Sequence, residues 1–196
     1  TTVDPTIPGE YLRLSGTIST STELIADPLG TGSSVWYLYD DLTVGSGATL
    51  TIGDNVVIKA TSNVDIFVNS GATLLVNATT GNEAVLTSFL DDDDTAGGDS
   101  NGDAALSAPG PGNWSSIYAQ TGSNIDISNA SIRYADNPLQ APFNREPASF
   151  NINNVDISAY SGTGILLDIN ASALFTVHNV TITETGAAND GIYLHS

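Results

Sequence analysis

The sequence predicts an all-β fold in which one chain winds as a single-stranded parallel β-helix, or β-solenoid. Three observations predict it. The first is self-similarity at a fixed period. Gly47-Ala48-Thr49-Leu50-Thr51-Ile52 recurs as Gly71-Ala72-Thr73-Leu74-Leu75-Val76. Asn129-Ala130-Ser131-Ile132 recurs at Asn154 and again at Asn179, in equal steps, and Gly164-Ile165 recurs at Gly191-Ile192. The period is therefore about 24–27 residues, within the range of repeat architectures. The second is the local pattern of short β-branched runs: Val56-Val57-Ile58, Val64 to Val68, Ile125-Asp126-Ile127 and Ile165-Leu166-Leu167. Gly, Asn, Ser, Asp and Thr separate them, and these residues form turns. The third is that no window carries helical periodicity. Three short strands and three turns in one such period describe one coil, with each strand pairing to its equivalent one coil later at the normal interstrand distance of about 4.8 Å.

Two competitors fit less well. A leucine-rich repeat has a similar period but needs a recurrent L-x-x-L-x-L and a second, helical half. An antiparallel sandwich needs hairpin turns and fixes no such register.

The elements follow in chain order. Residues 1–41 are Pro-, Ser- and Thr-rich at the start, with one strand predicted over 12–19, and are expected to cap the first coil, because an open solenoid edge invites association. Residues 42–196 are expected to form the solenoid. Trp36, Tyr37 and Tyr39 would close the core where the two meet. Asn129, Asn154 and Asn179 occupy one point of successive coils, where Asn tolerates the left-handed backbone of a sharp corner and its amide bonds up and down a ladder. The interval from Gly71 to Gly122 breaks the period. It is read as about two coils plus a few extra positions, with a loop inserted at about 89–113. The chain ends within a coil, which points either to a longer solenoid or to contact with another subunit.

Composition narrows function. In 196 residues there are 22 acidic and 4 basic side chains, a formal net charge of −18. That excludes nucleic acid, whose phosphates need clustered Lys and Arg, and it disfavours anionic lipid surfaces. No apolar run is long enough for a membrane-spanning helix, so no membrane insertion is expected. Cys is absent, which removes disulfide and thiol chemistry. A chain that begins Thr1-Thr2-Val3 and holds no Met reads as processed or excised.

The insertion carries the candidate site. Asp91, Asp92, Asp93 and Asp94 are consecutive and repel one another unless a cation neutralises them. Asp99-x-Asn101-x-Asp103, with Gly102 between, spaces side-chain oxygens as in the first half of a calcium loop, without the closing bidentate Glu of an EF-hand. Calcium is the expected ion, bound by oxygen alone and weakly. A solvated acidic loop is the alternative.

The same segment carries a resemblance. Val85-Leu86-Thr87-Ser88-Phe89, the Asp-rich run, Gly97 to Asp103, then Pro109-Gly110-Pro111-Gly112-Asn113-Trp114-Ser115-Ser116-Ile117, with Ile132-Arg133-Tyr134 further on, resemble a pattern of secreted bacterial surface and adhesin-like proteins. The resemblance covers roughly residues 11–196. It departs at Asn113, where Asp is usual, and at Ser115-Ser116, where Gly-Gly is usual. It implies a right-handed parallel β-helix at a cell surface or in the extracellular space, and it says little about activity.

Catalysis is weighed on the residues, since fold does not fix function. A pectate-lyase-like enzyme needs carboxylate-bound calcium and a cationic base. Only Arg13, Lys59, Arg133 and Arg145 are present, with Arg133 the best placed. Asn189-Asp190-Gly191-Ile192 faintly resembles a polygalacturonase strand, but a coil corner accounts for it. His178 and His195 have no recognisable Ser or Cys partner. The expectation is therefore a non-enzymatic structural or adhesive module, assembling head-to-tail or continuing into a longer solenoid. A polysaccharide-active enzyme or carbohydrate-binding fragment is the runner-up, with a surface polysaccharide as the partner. A Thr/Ser ladder binding ice or sugar ranks last.

Overall fold

The computed structural model describes residues 12–27, 35–104, 106–142, 144–168, 174–184 and 190–195. These form a β-solenoid of about 7 turns. All the strand pairs are parallel and together make one continuous 15-stranded sheet. The regular strands are β1 Leu12–Ile18, β2 Thr22–Leu24, β3 Val35–Val44, β4 Thr49–Ile52, β5 Val57–Ala60, β6 Asp65–Val68, β7 Thr73–Asn77, β8 Ala84–Ser88, β9 Ser116–Ala119, β10 Asn124–Arg133, β11 Leu139–Ala141, β12 Ser149–Ser158, β13 Ile165–Asp168, β14 Leu174–Thr183 and β15 Ile192–His195.

Three faces enclose the core. On the first, Leu12, Trp36, Ile58, Leu86, Ile132, Ile157 and Ile182 stack in one register. On the second, Leu42, Ile66, Ile117, Leu139, Ile165 and Ile192 stack. On the third, Leu24, Ile52, Val76, Ile127, Ile152 and Val177 stack. Strand side chains alternate in direction, so one apolar residue in two fills the interior. Full burial of each Leu or Ile contributes about 1.5–3 kcal/mol before chain entropy is subtracted.

The corners are as repetitive as the strands. Gly47, Gly71 and Gly122 all have positive φ (78°, 72° and 76°) and stack through Gly47 N–H to Gly71 O at 3.1 Å and Gly71 N–H to Gly122 O at 2.9 Å. Gly71 and Gly122 therefore lie on adjacent coils. The interval between them is one coil stretched by an excursion, not two coils, because β7 pairs directly with β10. The excursion leaves after β8; Trp114 is bridged in parallel to Ala135 and Ser115 N–H bonds the Val64 carbonyl at 3.0 Å, so the chain is back on the coil just before β9.

The expected Asn ladder forms. Asn129, Asn154 and Asn179 have φ of 55°, 54° and 51°. Asn179 Nδ2 donates to Asn154 Oδ1 at 2.7 Å, Asn154 Nδ2 donates to Asn129 Oδ1 at 2.6 Å, and Asn129 Nδ2 closes the row on the Ala78 carbonyl at 2.6 Å. A single left-handed residue thus turns the third face into the first, and β10, β12 and β14 each run through the corner. Asn189 lies outside the described residues. Gly164 N–H bonds the Asp190 carbonyl at 3.1 Å and Ile165 N–H bonds the Gly191 carbonyl at 2.9 Å, so 190–192 is a coil corner.

Residues expected to cap the first coil also build it. β1 pairs in parallel with β3, and Leu12, Leu14 and Leu24 are buried. Residues 1–11 and 28–34 of that segment lie outside the described residues. Trp36 is buried and donates from Nε1 to the Ile25 carbonyl at 3.1 Å.

Replacing Asn154 separates the two roles of the ladder. Asn154→Gly keeps the left-handed backbone and loses the amide bonds, at a cost of about 1–2 kcal/mol. Asn154→Ala also places a Cβ in the left-handed region and should cost about 1–2 kcal/mol more. Chemical denaturation should rank wild type above Asn154→Gly above Asn154→Ala; equal stability of the three would remove the ladder from the account.

Candidate metal centre

The acidic insertion is folded back onto the solenoid. On the outer side of the first face, Val35, Val57 and Val85 stack in register, and Ala96 of the insertion packs over them as a second, smaller apolar cluster. Ala96 sits in a single 3-10 turn, Asp94–Ala96. Asp93 caps it, accepting from Thr95 N–H at 2.8 Å and Thr95 Oγ1 at 2.5 Å. Those bonds hold the Asp93 carboxyl below the usual carboxylate range. Gly97 ends the turn at φ 80°, and a Cβ there would lie 2.5 Å from Val35 Cγ2, so the close approach admits only glycine.

Lys59 fastens the loop from beneath. It points outward from β5 yet is fully buried, because the insertion covers it. Its Nζ donates to the carbonyls of Asp91 at 2.5 Å and Gly98 at 2.6 Å. Burial pulls its ammonium below the ordinary lysine range, while Asp91, Asp92 and Asp99 act the other way. Asp91 is buried beside it and accepts from Thr87 Oγ1 at 2.6 Å and Asp93 N–H at 3.2 Å. Arg133 closes the clasp, with Nη1 3.7 Å from Asp91 Oδ2 and Nη2 donating to Thr95 Oγ1 at 2.8 Å.

Beyond this clasp the chain makes a tight polar loop. Asp99 Oδ1 accepts from Gly102 N–H at 2.7 Å and Asp103 N–H at 3.2 Å, and its Oδ2 accepts from Ala104 N–H at 2.9 Å. Asn101 Oδ1 accepts from Asp103 N–H at 3.1 Å, while its amide donates to Asp103 Oδ2 at 3.0 Å and Ser107 Oγ at 2.9 Å. Asp103 also takes the N–H groups of Leu106 and Ser107, each at 3.0 Å.

The geometry therefore divides the seven candidates. One oxygen each from Asp92, Asp99 and Asp103 lies within 4.8 Å of the other two. Two oxygens bound to one calcium at about 2.4 Å are at most about 4.8 Å apart, so the spacing suits a shared ion of that size. Asn101 braces Asp103 instead of adding a free oxygen. Asp91, Asp93 and Asp94 are not in this group: Asp91 belongs to the Lys59 clasp, Asp93 caps the short turn, and Asp94 lies exposed within it.

Asp92 is the telling residue. Both its carboxylate oxygens are shut off from solvent and accept no hydrogen bond among the described residues. Burial, followed by the Asp99 and Asp103 charges, pushes its carboxyl above the usual range. An ionised carboxylate in that state is costly unless a cation meets it.

No family model, curated protein or solved structure matches the chain. The local geometry must therefore carry the functional reading. Trp114, expected at the base of the loop, is there: it is buried in the main core and donates from Nε1 to the Arg133 carbonyl at 2.7 Å. Asn113, where the resembled pattern has Asp, accepts from Gly110 N–H at 2.7 Å and Ser88 Oγ at 3.2 Å through Oδ1. The anchoring role of Lys59 is not in the sequence reading. Its signal is a lone Lys in the apolar run Val57-Ile58-Lys59-Ala60 of a chain with only four cations.

Lys59→Met keeps an unbranched apolar stem and removes the donor. Two buried carbonyls then lose their partner, at about 1–3 kcal/mol each. Hydrogen exchange should speed up over residues 91–98 while β4 and β7 keep their protection. Uniform loosening of the whole rod, or no change in the loop, would contradict the anchoring role.

Proposed function

We propose that the chain is a non-enzymatic structural and adhesive module of an extracellular surface, a stiff solenoid whose acidic insertion is locked by calcium. The observation that carries the reading is the desolvated, unpartnered carboxylate of Asp92 facing Asp99 and Asp103. Oxygen-only ligands favour calcium over softer metals. A loop site with so few carboxylates would be weak, matching the high calcium levels outside cells. In-register ladders along about 7 turns supply stiffness, and the net charge of −18 supplies solubility.

Self-association, or continuation of the solenoid, fits the last coil. Ile165 and Leu167 are buried, but Ile192 and Leu194, their partners one coil on, are 45% and 52% exposed. One more rung would bury them, supplied by a longer solenoid or by a second copy stacked head-to-tail.

The runner-up is a polysaccharide-active enzyme. One observation favours it: the Asp65 carboxyl is half-buried and pushed up by that burial, with Asp41 and Asp136 adding to the shift against the Ser116 hydrogen bond at 2.5 Å. Against a lyase stands the use of the cations. Lys59 is buried under the insertion, and Arg133 is taken by Asp91 and Thr95. Arg145 donates to Gln120 Oε1 at 2.5 Å, and Arg13 lies 4.9 Å from the centre of the Tyr39 ring.

The test sets two responses against each other. Calcium should raise the melting temperature of the wild type, and the effect should fade as pH falls and protons compete for the carboxylates. The Asp92→Asn variant should melt higher than the wild type in chelator, because it loses a buried uncompensated charge, yet show no calcium response. Absence of a calcium effect on the wild type would sink the site. Electron microscopy that showed only isolated globular particles would count against the assembling module, as would hydrolysis of a polysaccharide that is lost in Asp65→Asn.

A further inference from the structure

The outer side of the first face holds a groove between the Asn ladder and the folded-back insertion. Its volume is about 900 Å³. Along its open floor run Ser131, Asp156 and Thr181, one residue per coil and in register. Val85 and Val57 continue the row beneath Ala96, where the insertion folds over, so the open floor spans three coils, roughly 10 Å at the normal strand spacing. The two sides come from opposite ends of the same strands. The corner before β8 contributes Glu83, and the folded-back insertion contributes Asp94 and Thr95.

The charge of this groove is one-sided. Glu83, Asp94 and Asp156 are exposed carboxylates. Arg133 is the only cation in the lining among the described residues, and its guanidinium is already held by Thr95 and Asp91. A chain of uronic acids would be repelled, whereas a chain bearing amines would be attracted. The remaining polar lining is hydroxyl and amide, including Ser158 and the exposed end of the Asn ladder at Asn179.

The repeat length favours a glycan over a peptide. An extended linear glycan advances by about one rung spacing per sugar, close to the ~4.8 Å between coils, whereas side chains on one face of an extended peptide recur every ~6.6 Å and fall out of step. We infer that this groove binds a linear amino-sugar polysaccharide along the solenoid axis, with Asp156 on the floor and Glu83 and Asp94 at the rims facing its amines.

The inference does not rest on the metal site, and its test keeps the two apart. The full chain is titrated by calorimetry with a glucosamine oligosaccharide, its N-acetylated counterpart, an oligogalacturonate and oligolysine, in calcium and in chelator. The amino-sugar oligomer should bind in at least one condition, at least tenfold more tightly than the N-acetylated and uronate oligomers and than oligolysine. The Glu83→Gln, Asp156→Asn double variant should weaken it at least tenfold. Asp126→Asn, which removes a carboxylate from the third face, should leave it unchanged. No binding in either condition overturns the assignment. So does binding that both variants weaken equally, since that reports only the overall negative charge. Tighter binding of oligolysine or of the N-acetylated oligomer would assign the groove to a different ligand.

Discussion

Everything in this molecule depends on the in-register parallel ladder. Each coil must return to the same place about 4.8 Å higher, with the same residue over its equivalent. That constraint sets the core, since an inward position in one coil is inward in all. Ile132, Ile157 and Ile182 recur for this reason, as do the Leu42 and Leu24 columns. It also sets the corners. A backbone that turns sharply at one level must turn sharply at the next, so left-handed residues stack as Gly47, Gly71 and Gly122 at one corner and as Asn129, Asn154 and Asn179 at another. Glycine meets the conformational demand alone. Asparagine also bonds its neighbours above and below, so in the later coils the corner becomes a second ladder made of side chains.

The ladder also decides where extra sequence can go. A residue added inside a strand would turn every later side chain to the wrong face. Additions must therefore leave from a corner and return to it. The excursion does so between β8 and β9, and the coils above and below pair as though it were absent. Having left, it needs its own reasons to be ordered. Ala96 over Val35, Val57 and Val85 supplies an apolar seat, and Lys59 supplies the donors that the returning backbone needs. A buried lysine bonded to carbonyls is a specific clasp, because an apolar residue of the same size would leave those carbonyls stranded.

This logic explains what could be read in advance. Recurrences such as Gly47 with Gly71, and the three Asn corners, report stacked positions directly, so the fold and the Asn ladder were legible in the residues. The place of the insertion was legible from the broken period, but the number of coils was not, because the long interval between Gly71 and Gly122 can be divided into coils in more than one way. The division of the acids was not legible. Asp91 to Asp94 look equivalent in sequence. One turn of 3-10 helix sends Asp93 to its cap and leaves Asp94 outside, while Lys59, far earlier in the chain, holds the backbone at Asp91. Only Asp92 is then left to meet Asp99 and Asp103. Non-periodic contacts of this kind have no repeat to announce them.

The ladder finally accounts for the uneven use of charge. Carboxylates stacked in register would sit about 4.8 Å apart at each step, and like charges directly opposite one another are destabilising. In the registered pairs among the described residues no acid faces an acid. Asp65 is registered with Ser116, Asp126 with Leu75 and Asn151, Asp156 with Ser131 and Thr181, and Asp168 with His195. A solenoid with 22 acidic residues scatters most of them over turns and alternate rungs; where Asp41 and Asp136 approach Asp65, burial and those charges push the Asp65 carboxyl up against the Ser116 hydrogen bond. The insertion is free of register, so it is where carboxylates can converge. Convergence there is stable only with a cation or a raised proton affinity, and the burial of Asp92 between Asp99 and Asp103 sets those two against each other. The constraint that makes the rod regular thereby moves much of its electrostatic tension into the irregular insertion, where an ion can relieve it.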